Sequence, residues 1–117
     1  MGKLLTLMGG GFSPADFPGL ALWLDASDLG TLDKDVSEVV SGWNDKSGNG
    51  NHATQGTADN KPTWQAAGLN SRPTVHFAND ALVISDASSL DYSSLSIFVV
   101  TAATVDGGSA HYILWKW

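Results

Sequence analysis

Ser96-Ile97-Phe98-Val99-Val100-Thr101-Ala102 is β-branched and nearly continuous in apolarity. Such a run reads as a central strand covered on both faces. Downstream, Gly107-Gly108 punctuates it, and Tyr112-Ile113-Leu114-Trp115 reads as a last strand. Upstream, Ala81-Leu82-Val83-Ile84 follows an Asn79-Asp80 turn. Thr74-Val75-His76-Phe77 alternates, with Val75 and Phe77 on one face and His76 on the other. Pro62-Thr63-Trp64 is a shorter extended piece. Residues 36–43 place apolar side chains at Val36, Val39, Val40 and Trp43, a spacing shared by a helical turn and an irregular strand. Gly42 and the paired valines favour the strand. Leu20-Ala21-Leu22-Trp23-Leu24 reads as a buried strand closed by the polar turn Asp25-Ala26-Ser27-Asp28.

Between these runs lies one long polar stretch, residues 44–61, with Gly48, Gly50, Gly56 and four asparagines. A loop of that length inside a compact domain is functional or tightly packed. No helix longer than about two turns, no fixed-period repeat and no phosphate-binding fingerprint interrupts the pattern. Short strands separated by Gly, Asn and Asp turns predict an all-β sandwich.

The chain of 117 residues fits one domain, and its 43% hydrophobic content can fill a core. Thirteen glycines suit many turns. The formal net charge is −6, and the six basic residues are scattered as Lys3, Lys34, Lys46, Lys61, Arg72 and Lys116. A phosphate-tracking surface needs clustered cations, so nucleic acid and anionic membrane are poor partners. The absence of cysteine excludes disulfides, zinc thiolate sites and cysteine nucleophiles. The run Leu4-Leu5-Thr6-Leu7-Met8 is too short to span a membrane and falls below a signal-peptide core. Residues 1–18 read as an arm, jointed at Gly9-Gly10-Gly11 and broken at Ser13-Pro14 and Phe17-Pro18-Gly19. Leu4, Leu5, Leu7, Met8 and Phe12 are then candidate anchoring residues, since five large apolar side chains on a free tail invite a neighbour. A frayed terminus is the plainer alternative.

Three segments, in order, carry a resemblance. They are Gly19-Leu20-Ala21-Leu22-Trp23-Leu24-Asp25-Ala26-Ser27-Asp28, then Trp43-Asn44-Asp45-Lys46-Ser47-Gly48-Asn49-Gly50-Asn51-His52-Ala53, then Pro62-Thr63-Trp64 with Asn70-Ser71-Arg72-Pro73-Thr74-Val75-His76-Phe77. Together they resemble concanavalin A-like lectin/glucanase domains of the laminin-G-like type, which recur in bacterial surface proteins and phage virion proteins. The resemblance covers roughly residues 19–115. It implies an antiparallel two-sheet jelly-roll sandwich whose members bind glycans or proteins, or serve as structural modules, some with calcium. Such domains usually run well beyond this length, so the later strands are expected to be missing. The sandwich over residues 19–117 is then incomplete within this chain, and continues in the gene or is completed by a partner. Trp115 and Trp117 alternate and would share one face that needs a cover.

The candidate ligand-binding residues are Asp45, Asn49 and Asn51, as oxygen donors to calcium or sugar hydroxyls, with Trp64 as a stacking platform. The plainer reading of residues 43–52 is a self-bonded loop, because Asn, Asp, Ser and Gly cap their own backbone. The spacing is not that of a calcium-binding EF-hand loop, since the twelfth position from Asp45 is Gly56. Asp25 and Asp28 are more often turn formers than ligands, and could share a cation with Asp45 only if the fold joins their loops. His52, His76 and His111 lack ligand spacing. The glucanase carboxylate signature is absent and Glu38 is the only glutamate, so no catalytic residue is assigned. The expected function is a non-enzymatic structural or attachment module on a virion or extracellular surface. Its expected partners are other assembly proteins and copies of itself. A free carbohydrate-binding module, with calcium, is the alternative, and a glycoside hydrolase fragment the remote one.

Overall fold

The computed structural model describes residues 11–102. Among them are six strands and four short 3-10 turns, with no α-helix. Strands β1 (Leu32–Lys34), β2 (Val40–Trp43), β3 (Ala53–Thr54) and β6 (Val83–Ile84) form one sheet in the order β1-β2-β3-β6. Strands β4 (Thr63–Leu69) and β5 (Arg72–His76) form a second, two-stranded sheet. Every pairing is antiparallel. The chain is therefore all-β in class.

Local chemistry sets the turns. In the β1–β2 hairpin the Asp35 carboxylate accepts the backbone N–H of Ser37 at 2.8 Å and of Val39 at 3.0 Å, and Glu38 takes a left-handed φ of 66°. Those bonds hold residues 36–38 in the turn. The strand expected from Val36 therefore begins only at Val40, and Val36 stands fully in solvent. The β4–β5 hairpin turns on Asn70 and Ser71, with φ of 48° and 60°. Two left-handed central residues match the twist of the flanking strands, and asparagine tolerates that geometry. This turn lets β4 run seven residues, well past the short Pro62-Thr63-Trp64 piece. The two sheets meet where the Val40 N–H donates to the Pro62 carbonyl and the Trp64 N–H to that of Glu38, both at 2.8 Å. Val40 and Pro62 are wholly buried at this corner, and Leu32 and Ala53 extend the small core.

Four further expectations are corrected. Residues 20–24 are extended and half-buried, but they join no ladder. Their backbone is bonded by side chains of residues 45–51 in place of a strand partner. The polar stretch 44–61 is not structureless, since β3 and the turn Ala58–Asn60 lie inside it. Residues 96–102 form no strand, because among the described residues nothing pairs with them. At residues 81–84 only Val83 and Ile84 join the sheet, while β5 lies where the alternating run 74–77 was read. Leu4, Leu5, Leu7, Met8, residues 107–108 and 112–115, Trp117 and His111 lie outside the described residues.

Candidate functional site

The loop of residues 44–52 leaves β2 at Trp43 and returns as β3 at Ala53, its ends held by the Trp43–Ala53 pairing. At its centre Asp45 is buried. Its Oδ1 accepts the backbone N–H of Trp23 at 2.9 Å and of Ser47 at 2.8 Å. Its Oδ2 accepts the Ser47 hydroxyl at 2.6 Å and the Asn51 N–H at 3.1 Å. Burial opposes ionisation of this carboxyl, but the donors from Ser47, Trp23 and Asn51 outweigh it and hold the pKa below the usual carboxylate value.

The two asparagines face the same neighbour. The Asn49 amide donates to the Leu20 carbonyl at 2.8 Å, and the Asn51 amide to the Ala21 carbonyl at 2.8 Å. Ser47 reaches the Ala21 carbonyl as well, and the Lys46 N–H donates to the Trp23 carbonyl at 2.8 Å. Side chains of the loop thus do for residues 20–23 what an adjacent strand would do. On its far side the Asn51 amide oxygen accepts the Ser89 hydroxyl at 3.0 Å. Gly48 and Gly50, with φ of 92° and 74°, make the reversals that aim these groups inward.

Asp25 and Asp28 are brought together, and the cation between them is the Lys46 ammonium. Its Nζ lies 3.2 Å from Asp25, 2.8 Å from Asp28 and 4.3 Å from the centre of the Trp23 ring. Hydrogen bonding to Asp28 is the main cause raising the Lys46 pKa. Burial opposes ionisation of Asp25, but bonds from Ser27 and then Lys46 outweigh it and lower the Asp25 pKa. The Asp45 carboxylate faces away from this ammonium cluster towards its own N–H donors. Among the described residues no group of three His, Cys, Asp or Glu side chains converges to hold a metal ion.

Trp64 is half-buried on β4. Its indole N–H donates to the Ala26 carbonyl at 2.9 Å, and the Lys34 ammonium sits 5.0 Å from its ring centre. One face of this candidate stacking residue is thus already engaged. Four further side chains complete the site: Lys46, Ser47 and Ser89, to which the sequence assigned no role, and His52, read there as lacking ligand spacing. Ser47 had a legible signal, since Asp25-Ala26-Ser27 and Asp45-Lys46-Ser47 share one Asp-x-Ser pattern. Both fold as turns in which the serine donates its N–H and its hydroxyl to the aspartate. His52 accepts the Asp45 N–H on Nδ1 at 3.0 Å. His52 also borders an open cleft of about 340 Å³ between residues 49–52 with Thr54 and residues 84–87.

An apolar surface lies elsewhere. Phe12 meets Phe17 edge to face at 5.0 Å between centroids, and Phe17 stacks on Phe98 at 6.5 Å. Leu95, Ile97, Val99 and Val100 are also exposed. No known family model, characterised protein or solved structure matches the chain. What stands without comparison is an all-β protein with antiparallel sheets and an internally bonded polar loop.

Proposed function

We propose that this chain is a non-enzymatic structural or attachment module of a virion or extracellular surface assembly, built on a lectin-like jelly-roll sandwich. One observation carries the reading. Phe12, at the end of the arm, is 63% exposed and continues through Phe17 into the exposed run at residues 95–100. A module that keeps large apolar side chains on its surface is suited to being held by other proteins. The carboxylates of the 25–28 turn and of the polar loop support the same reading, since Asp25 and Asp45 are occupied as structural acceptors. In this role the arm of residues 1–18 docks on the assembly and the loops face outward. Removing residues 1–18 is expected to abolish incorporation into assembled particles while circular dichroism shows the sandwich folded. Normal incorporation of the folded, truncated protein would end the tether reading.

The cleft beside His52 favours a second reading, capture of a cell-surface glycan with the aid of calcium. Its lining includes Asn49, His52, Thr54, Ser85 and Asp86, residues whose donors and acceptors are of the kind that sugar hydroxyls match. Calorimetric titration with oligosaccharides, with and without calcium, tests it. Saturable heat that His52→Ala removes would establish binding. Its absence in both conditions would leave the structural role.

A further inference from the structure

The run at residues 95–102 has the composition of a strand but no assigned secondary structure, and every one of its residues is exposed. Among the described residues none of its backbone N–H or carbonyl groups bonds to another backbone group. In a strand Phe98 and Val100, 87% and 91% exposed, share one face, and Ile97 and Val99, 54% and 50% exposed, share the other, so both faces are open. A strand apolar on both faces needs a neighbour along its edge and a cover on each side.

The size of the surface indicates what covers it. A fully exposed large apolar side chain presents on the order of 150–200 Å². Weighted by their exposures, Phe12, Phe17 and the apolar side chains of residues 95–100 together present roughly 800 Å². That exceeds the ~300–600 Å² of the largest patch on an ordinary monomer. It is of the order of the share, about 800 Å², that each partner contributes to a standard interface.

We propose that this strip is the contact between two copies of the chain, joined by antiparallel pairing of residues 96–102 about a two-fold axis through Val99. The axis places Phe98 of each copy opposite Val100 of the other, an aromatic against a β-branched side chain, which is a favourable cross-strand pair. Ile97 falls opposite Thr101, and Ser96 opposite Ala102. The contact is isologous, so it closes at two copies. Residues 95–102 carry no charge. The net charge of −6 on each copy opposes association only at a distance, and salt screens it. The proposal does not depend on the lectin-like reading, since it uses only the exposed strip.

The chain has no cysteine, so single-cysteine variants of the full chain test the register directly. Val99→Cys puts two thiols at the axis, within disulfide reach. Ala102→Cys puts them roughly 20 Å apart in the paired strands. Under mild oxidation Val99→Cys is expected to give a covalent dimer at least ten times faster than Ala102→Cys. In sedimentation velocity the unmodified chain is expected to dimerise more tightly as salt rises, and Phe98→Asp to weaken the dimer at least about 30-fold. Circular dichroism checks that Phe98→Asp remains folded. If it does not, the two cysteine variants still decide the matter. A monomer at all concentrations would overturn the proposal, leaving the strip to residues 103–117 or to another protein. Equal cross-linking at both positions would overturn the two-fold register in favour of parallel or unspecific association.

Discussion

Residues 44–52 carry no large apolar side chain, yet Asp45 and Asn51 among them are buried. Residues 95–102 are almost wholly apolar, yet each of them is exposed. The difference teaches that burial here follows hydrogen-bond supply. The loop brings its own donors and acceptors and closes on residues 20–23, so its polar groups leave water with their partners in hand. The apolar run has no such partners among the described residues. It can be satisfied only by a neighbouring strand and two covering layers.

Mutations should separate the two regions by size of effect. Asp45→Ala strips the acceptor from four donors, three of them backbone N–H groups. It is expected to cost about 3–5 kcal/mol in urea unfolding, and a loss under 1 kcal/mol would show that the loop is not what holds residues 20–23. Asp45→Asn keeps one oxygen and should fall between the two. The acid behaviour follows from the sign of the shift. The folded pKa of Asp45, and of Asp25, lies below the unfolded value, so their stabilisation is complete above about pH 4–5 and is lost as pH falls through the folded pKa. The melting temperature should therefore hold level from pH 7 to about 5 and drop below about 4, with a shallower drop in Asp45→Asn.

Gly50→Ala meets nothing within 4 Å, so its cost is conformational, about 1–2 kcal/mol. A neutral result would mean that the loop has a second low-energy path. Lys46→Met removes an ammonium shared by two partly exposed carboxylates and should cost only about 0.5–1 kcal/mol in denaturant titration. Phe98→Ser should change monomer stability by less than about 0.5 kcal/mol, because the ring is in solvent. A loss above 2 kcal/mol would place Phe98 inside a core and erase the contrast.

Much of the fold was legible in residue pattern. The polar turn after Leu24 and the alternation around Val75 are local, since each depends on groups a few residues apart, whereas the Asp35 turn was hidden under the strand-like spacing of Val36, Val39 and Val40. The Asn70-Ser71 turn was equally local, but it is a weaker signal than Asn-Gly and is easily passed over. The site was half legible. A polar loop closing on itself could be read from its Asn, Asp, Ser and Gly content, but its target could not. That target is the backbone at residues 20–23, more than twenty residues away.

By itself, the sequence determined the class of protein and the chemistry of each turn, because strand alternation and side-chain capping act within a few residues. Tertiary structure alone decided which polar groups meet. It set Lys46 between Asp25 and Asp28, turned the Asp45 carboxylate inward, and left the most strand-like run without a partner among the described residues. Hydrogen bonds and burial are properties of pairs, and a pair distant in sequence exists only once the chain has folded.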